Sequence, residues 1–268
     1  MLKKCLTIAG SDCSGGAGIQ ADLKTFSALG TYGMSCICAL TAQNTKEVSM
    51  VENISQVMIT AQLRAIYDDI VPDAVKTGML STAETVDTVS TFLETLHPSN
   101  LVVDPVMVAT SGARLLDEDA VHLYRTKLIP LASVVTPNVP EAEVLAGMKI
   151  QTIEDMKQAA LKIMEIGPKA VLIKGGHAVQ TATDVLYNGY EFIVYEEKKI
   201  ETKNTHGTGC TLSSAIAALL AQNYSLEEAV QQAKSYLTGA IKAAALHSPG
   251  HGYGPVSHFW FYKNPWRK

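Results

Sequence analysis

Short apolar runs of strand length alternate with segments of helical period, and this alternation limits the possible folds more than any other feature of the chain. The pattern predicts strands at residues 5–9, 34–40, 74–77, 101–103, 134–136 and 170–174, and helices at residues 56–70, 82–96, 117–128 and 153–166. Runs of this kind are typical of buried parallel strands joined by crossover helices. The sequence therefore predicts an α/β fold with a central, mostly parallel sheet and helices on both faces.

One stretch departs from the alternation. Residues 184–187 and 190–195 flank Asn188-Gly189, a dipeptide that is typical of a two-residue turn and so predicts a small antiparallel hairpin. Two long helices are predicted after it, at residues 211–222 and 226–245. Ser225 and Glu228 form the pattern of a capping box at the start of the second helix.

Composition excludes several classes of protein. The 268 residues carry a net charge of −4, with 47% hydrophobic and 18% charged residues, which excludes disorder and allows a large core. No linker or repeat divides the chain, so one domain is predicted over residues 1–268. Lysine and arginine form no cluster, which argues against a nucleic-acid partner and leaves small molecules as the expected ligands.

The predicted location follows from hydropathy and cysteine content. No stretch approaches the roughly 18 to 20 apolar residues that span a bilayer, so no membrane partner is predicted. The short apolar run near the N-terminus stops at Gly10, too early for the core of a signal peptide. The five cysteines are an odd number without a Cys-x-x-Cys pair. A reduced, cytoplasmic protein is expected.

The first glycine-rich loop follows the first predicted strand. Its Gly16-x-Gly18-x-x-Ala21 spacing matches the dinucleotide fingerprint in form, but the first glycine stands too far after the strand and the second strand is not followed by the expected acidic residue. The loop instead suits close approach of a planar ligand to the backbone. For Asp12 and Ser14 taken singly, a role in capping the following helix is the simpler interpretation.

The second glycine-rich loop, Thr205-His206-Gly207-Thr208-Gly209-Cys210, stands directly before a long apolar helix. The first amides of that helix lack intrahelical partners and face its positive end, so the loop predicts an anion site suited to a phosphoryl group. A thiol at a helix start often has a lowered pKa, so Cys210 is a candidate base for an attacking hydroxyl. There are two alternatives for Cys210. It could simply pack at the start of the helix, or it could be the nucleophile of a thiol hydrolase, with His206 as its base.

Further polar residues follow the predicted strand ends. Asp104 ends one strand, Asn138 and Glu141 follow the next, and Lys174 ends another. Oxygen ligands of this kind suit Mg²⁺, which binds through few carboxylates together with substrate phosphates, and a lysine neutralises phosphate charge. Together with the anion site, these residues favour phosphoryl transfer over hydrolase or redox chemistry. A regulatory nucleotide-binding module is the other interpretation, but it has no need of Cys210.

Five segments together closely resemble the hydroxymethylpyrimidine and phosphomethylpyrimidine kinases of thiamine biosynthesis, members of the ribokinase-like superfamily. They lie at residues 10–25, 39–45, 103–107, 136–138 and 205–210, and the resemblance extends over essentially the whole chain. It implies ATP- and Mg²⁺-dependent phosphorylation of 4-amino-5-hydroxymethyl-2-methylpyrimidine, and then of its monophosphate to the diphosphate. It also implies the ribokinase-like fold and a homodimer.

The resemblance assigns roles to individual residues. Gln43 would read the pyrimidine edge, because its amide can both donate and accept. The ring pocket would be lined by Gly10, Ala17, Asp22, Met79 and Val106. Magnesium and its waters would be organised by Asp104, Asn138 and Glu141. ATP would be bound by Asn138, Lys174 and Thr208, and the anion hole formed by Gly207, Thr208 and Gly209.

Three further implications concern the base, the lid and the substrate. The wider superfamily has an aspartate where this chain has Cys210, whereas the pyrimidine kinases commonly have cysteine. Small residues at 109–116 suit a lid that excludes water during transfer. The alternative substrate is pyridoxal, since some relatives with the same cysteine accept it, although Gln43 favours the pyrimidine.

Overall fold

The described part of the chain contains one nine-stranded sheet. A computed structural model describes residues 1–107, 118–175, 181–245 and 248–262. The strands are β1 (Lys4–Asp12), β2 (Tyr32–Gln43), β3 (Val48–Asn53), β4 (Ala74–Thr77), β5 (Leu101–Val103), β6 (Val134–Val135), β7 (Val171–Lys174), β8 (Thr181–Tyr187) and β9 (Phe192–Lys198). The expected lid at residues 109–116 lies outside the described residues.

The helices alternate with the strands over most of the chain. In the described residues they are α1 (Gly18–Ala28), α2 (Gln56–Tyr67), α3 (Ala83–Leu96), α4 (Glu118–Leu123), α5 (Val139–Ala146), α6 (Ile153–Met164), α7 (Thr208–Ala221) and α8 (Leu226–Ala244). The capping box predicted for α8 is present, with Ser225 and Glu228 each accepting from the backbone N–H of the other. None of the described helices is long and apolar enough to cross a membrane.

The strand order is β3-β2-β1-β4-β5-β6-β7-β8-β9. The six central strands from β2 to β7 pair in parallel. The predicted hairpin, β8 and β9, extends the sheet in antiparallel fashion at one edge. At the other edge β3 pairs antiparallel with β2, which the sequence did not predict. The predicted mostly parallel α/β sheet is therefore confirmed.

Two apolar layers cover the two faces of the sheet, because side chains alternate along each buried strand. On β1, Leu6 and Ile8 pack with α2 to α6, whereas Cys5 packs with α1, α7 and α8. The helix α7 is buried along nearly all of its length. A helix that is apolar all round is expected to lie between other elements, and α7 lies between the sheet and α8.

The structure corrects three local predictions. The helix predicted at residues 117–128 is α-helical over Glu118–Leu123 and continues as a π-helical turn, Tyr124–Leu128. The hairpin turn has four residues, 188–191, and not two, because the Asn188 side chain accepts from the amides of Tyr190 and Glu191. The first strand continues to Asp12, so that residue ends β1 instead of lying within the loop.

The C-terminal segment, residues 250–258, crosses the edge of the sheet where the two glycine-rich loops lie. Its Gly252 amide donates to Thr45 Oγ1 over 3.1 Å, and its Tyr253 amide donates to the Thr45 carbonyl over 2.8 Å. The Gly254 carbonyl accepts from the His206 amide over 3.0 Å. The end of the chain therefore holds together two segments that are 161 residues apart, at positions 45 and 206.

His258 makes stability depend on pH. It is buried near Thr211, and burial and the charge of Lys24 lower its pKa from 6.5 to about 4. Below pH 6.5 the unfolded chain binds a proton that the folded chain binds only near pH 4. We expect full stability above pH 6.5 and a loss of roughly 3 kcal/mol as the pH falls through this window.

Urea unfolding across that pH window measures the effect. The variant His258→Gln lacks the titrating ring, so its stability should depend on pH less steeply than that of the parent. Equal pH dependence in the two proteins would contradict the assignment.

Candidate active site

Most of the predicted site residues lie along one edge of the sheet. Asp104 directly follows β5, Lys174 ends β7, Gln43 ends β2, and α7 begins at Thr208. The carboxyl ends of parallel strands share an edge, and ligands of open α/β sheets bind there. The structure therefore brings together groups that lie up to 167 positions apart in the sequence, from Gln43 to Cys210.

A buried ion pair lies at the centre of this edge. Lys174 Nζ donates to Asp104 Oδ1 over 2.7 Å, and Ser213 Oγ donates to Asp104 Oδ2 over 3.1 Å. Burial alone would raise the pKa of Asp104, but the charges of Lys174 and Lys76 outweigh it and hold the pKa below the ordinary value. Asp104 is therefore an anion at neutral pH.

Asn138 and Glu141 form a capping box at the start of α5. Asn138 Oδ1 accepts from the Glu141 amide over 2.9 Å, and Glu141 Oε2 accepts from the Asn138 amide over 2.8 Å. Burial raises the pKa of Glu141 to about 7; Lys174 opposes this rise and Asp104 adds to it. The helix-cap role is therefore present in the structure, while the predicted contacts of this pair with metal and ATP stay predictions.

The two carboxylates suit a magnesium ion better than a metal held by protein ligands alone. Among the described residues, no group of three or more His, Cys, Asp and Glu side chains can hold a metal. Mg²⁺ commonly uses one or two carboxylates, several waters and substrate phosphates. Asp104 and Glu141 are buried oxygen ligands that influence each other's charge, so the residues present fit this mode of binding.

The start of α7 presents its first amides beside the ion pair. Gly207, at the N-cap, has φ of +77°, and a Cβ there would overlap the Gly16 carbonyl oxygen, so glycine is required. Within the described residues, no side chain caps this helix. A Cβ built on Gly209 would lie 3.3 Å from Lys174 Nζ, so the helix start and the lysine are neighbours. Amides and ammonium together make an anion site.

Cys210 lies in the first turn of α7, and its surroundings differ from those predicted. Burial raises the pKa of its thiol to about 11, opposed by the charge of Lys76 and by a hydrogen bond from the Gly18 amide. The expected lowering of the pKa by the helix start is therefore wrong, because burial and the charges of Asp22 and Asp104 have the larger effect. At neutral pH the side chain is a thiol beside a fixed ammonium ion.

A fully buried charge pair lies beneath Cys210. Lys76 Nζ lies 3.0 Å from Asp22 Oδ2, and both side chains have no exposed surface. The Asp22 carboxylate also accepts from Thr7 Oγ1 and Ser214 Oγ, each over 2.6 Å. Burial alone would lower the pKa of Lys76, but the Asp22 charge holds it above the ordinary value. The predicted contact of Asp22 with the substrate ring stays a prediction.

Gln43 contacts His206, and His206 contacts Asp12. The Gln43 amide nitrogen is placed 3.1 Å from His206 Nε2, which lies 2.8 Å from Asp12 Oδ2. Asp12 also accepts from the amides of Ser14, Gly16 and Ala17. The His206 Nε2 atom therefore lies between Asp12 and Gln43.

The remaining predicted pocket residues lie nearby. The Gly10 amide donates to the Met79 carbonyl over 3.0 Å, and a Cβ on Gly10 would meet Met79 Cε at 2.5 Å. Ala17 is the N-cap of α1 and lies against Gly207. Val106 is half-buried, two positions after Asp104. Their assignment to a ring pocket stays a prediction.

Sequence reasoning missed two features of this site. The run at residues 74–77 predicts only a strand, although a lysine inside a short buried strand such as β4 is a signal for a buried partner of Lys76. Asp12 and His206 were noted separately, as a cap and as a candidate base, but no spacing rule relates positions 12 and 206. Only the fold brings them together.

The carboxyl edge of this doubly wound sheet carries a helix start without a side-chain cap, a lysine and two buried carboxylates. This arrangement is typical of an α/β phosphotransferase. Comparison with known proteins narrows this class. The family model for phosphomethylpyrimidine kinase matches residues 12–257. The chain belongs to the phosphomethylpyrimidine kinase family.

Individual relatives agree with the family. The hydroxymethylpyrimidine/phosphomethylpyrimidine kinase of Rhizobium meliloti is 52% identical over 256 residues, 95% of this chain and 96% of that protein. The thiamine biosynthesis bifunctional protein ThiED of Geobacter sulfurreducens is 49% identical over 254 residues, and the match covers 94% of this chain but 51% of that protein. An ADP complex of Bacillus subtilis pyridoxal kinase superposes with a TM-score of 0.90 at 40% identity, covering 97% of this chain and 99% of that one.

Proposed function

We propose that this phosphotransferase uses ATP to phosphorylate 4-amino-5-hydroxymethyl-2-methylpyrimidine, and then its monophosphate to the diphosphate, in thiamine biosynthesis. The observation that carries the proposal is the edge at which Asp104, Lys174 and the start of α7 meet, in a chain of this family. A phosphoryl group in transfer spreads negative charge over its oxygens, and fixed amides and an ammonium stabilise that charge.

The proposed roles follow from position. The amides of Gly207, Thr208 and Gly209 hold the transferring phosphoryl group at the positive end of α7, and Lys174, at the end of β7, neutralises phosphate charge beside them. Cys210 first loses its own proton to solvent, and the charge of Lys76 favours the thiolate that results. The thiolate then accepts the proton of the substrate hydroxyl and becomes the thiol again. The Gln43 amide selects the pyrimidine because it can both donate a hydrogen bond to the edge of the aminopyrimidine ring and accept one from it. Asn138 binds ATP together with Lys174, and the backbones of these two residues pair in an isolated parallel bridge.

Magnesium is proposed as the cofactor of this site, with Asp104 and Glu141 as the residues that would hold it and its waters. When bound, the ion would neutralise phosphate charge and orient the terminal phosphate. The burial of two carboxylates, Asp104 and Glu141, at this edge of the sheet supports this proposal.

The direct test is a kinase assay of the purified chain. With ATP and Mg²⁺, we expect conversion of hydroxymethylpyrimidine to its monophosphate and then to the diphosphate. Mass spectrometry detects the two pyrimidine products, and an assay of ADP release measures the rate. Absence of any phosphorylated pyrimidine under these conditions would overturn the proposed function.

Pyridoxal is the second candidate substrate, and the TM-score of 0.90 to Bacillus subtilis pyridoxal kinase favours testing it. It also carries a hydroxymethyl group on an aromatic heterocycle. We expect a higher kcat/KM for the pyrimidine than for pyridoxal, because an amide complements an aminopyrimidine edge. A higher kcat/KM for pyridoxal than for the pyrimidine would assign the chain to vitamin B6 metabolism instead.

Three further properties belong to the proposal. A single sheet from Lys4 to Lys198 supports one kinase domain over residues 1–268. A homodimer is supported by apolar side chains exposed on β2, β3 and α2, namely Leu40, Met50, Val51, Val57 and Met58. Five free thiols support a reducing, cytoplasmic location.

A further inference from the structure

The carboxylate of Asp12 can only accept hydrogen bonds. Its pKa is about 2: burial alone would raise it, but hydrogen bonds from His206, Ser14 and the amide of Ala17 hold it below the ordinary value. Asp12 Oδ2 accepts from the amides of Gly16 and Ala17, over 3.1 and 2.8 Å, and faces His206 Nε2 at 2.8 Å. An ionised acceptor at this distance requires a donor, so His206 carries its proton on Nε2.

That proton decides which end of the Gln43 amide faces the imidazole. A protonated Nε2 has no lone pair and cannot accept from an amide nitrogen. The amide end 3.1 Å from His206 Nε2 must therefore be the oxygen, which shares the single Nε2–H with Asp12 Oδ2 in a three-centre hydrogen bond. The two ends of an amide have nearly the same shape, so their assignment depends on such hydrogen bonds.

The other end of the amide leads independently to the same orientation. Thr41 Oγ1 donates its one hydrogen to the Ser11 carbonyl over 2.9 Å. The Gln43 amide atom 3.3 Å from Thr41 Oγ1 must then donate, which makes it the nitrogen. Both neighbours of the amide thus require the same orientation, with oxygen at His206 and nitrogen at Thr41.

We propose that His206 is a positioning residue for pyrimidine selection, which orients the Gln43 carboxamide through the series of hydrogen bonds Asp12–His206–Gln43–Thr41. This inference rests on the proposed function. In the required orientation, Gln43 keeps one free N–H and one free oxygen lone pair, the donor and acceptor that an aminopyrimidine edge complements. His206 thus acts on the substrate only through Gln43.

The test is a double-mutant cycle. His206→Leu removes the Nε2 donor, and we expect KM for hydroxymethylpyrimidine to rise roughly tenfold, with kcat and KM for ATP within about twofold of the parent. Gln43→Ala should raise the same KM at least as much. The double variant should be no worse than Gln43→Ala alone, because His206 has then lost the group on which it acts.

Two further variants separate positioning from folding. His206→Gln keeps a donor near the position of Nε2 and should recover KM for the pyrimidine to within about threefold of the parent. If His206→Leu does not fold, Thr41→Val tests the other end of the amide and should raise the same KM selectively. The exposed His251→Leu is the matched control for loss of an imidazole.

The outcomes distinguish this inference from the proposed function. If the parent protein phosphorylates no pyrimidine, the proposed function fails. If the parent is active but the His206 and Gln43 effects multiply in the double variant, or His206→Leu lowers kcat and raises both KM values alike, His206 is not a positioning residue for Gln43. An unchanged pyrimidine KM in folded His206→Leu also overturns the inference, as does an unchanged KM in Thr41→Val where His206→Leu does not fold.

Discussion

Replacing Cys210 with alanine is expected to lower kcat by about 10² to 10⁴, while the affinity for the pyrimidine stays near that of the parent. The reason is that the substrate hydroxyl must lose a proton as it attacks, and the thiol lies in the first turn of α7, beside the proposed phosphoryl site. The charge of Lys76 favours the thiolate, although burial opposes it. Single-turnover kinetics together with equilibrium binding separate the two quantities.

Cys5→Ala is the matched control for this experiment. Cys5 is also buried and also lies against α7, but near the Ala217 carbonyl and at the opposite end of β1 from the site. It should leave kcat unchanged. If Cys210→Ala also leaves kcat unchanged, the thiol of Cys210 only packs at the helix start, and proton acceptance must be assigned to another group.

Lys76→Met is expected to lower the free energy of unfolding by about 3 to 5 kcal/mol. The substitution keeps the length of the side chain but leaves the Asp22 carboxylate buried without a counter-charge. Thr7 and Ser214 still donate to that carboxylate, but neutral hydroxyls do not replace an ammonium ion. Urea unfolding at neutral pH measures the loss.

Two comparisons show whether the cause is the unpaired charge. The double variant Lys76→Met with Asp22→Asn removes both charges and should be more stable than Lys76→Met alone. Lys149→Met breaks a pair of 2.8 Å whose lysine is 84% exposed, and should cost about 1 kcal/mol or less. A double variant that is less stable than the single one would contradict the charge explanation.

The fold was predictable where strands are buried. The bounds of β4 and β5 agree with the apolar runs at residues 74–77 and 101–103, because both strands are covered on both faces. The edge strand β3 was missed because its residues 49–53 are exposed and show no apolar run to detect. The π-helical turn at Tyr124–Leu128 carries no sequence signal of its own.

The site was predictable as a location but not in its contacts. Asp104 follows β5 and Lys174 ends β7, and their positions at strand ends predicted one shared edge of the sheet. Their direct contact of 2.7 Å was not predicted. The thiol pKa of Cys210 could not be predicted, because burial and neighbouring charges depend on tertiary packing. The same holds for the contact of Gln43 with His206, which joins two distant loops.

The C-terminal segment has a consequence for synthesis of the protein. Every strand of the sheet has been translated once Lys198 is made, yet Gly252, Tyr253 and Gly254 hold the loops that carry Thr45 and His206. A nascent chain can therefore complete the described sheet before these two loops are held together. The contacts that join Thr45 to His206 form only after residues 252–254 have been made, 54 positions after the last described strand ends.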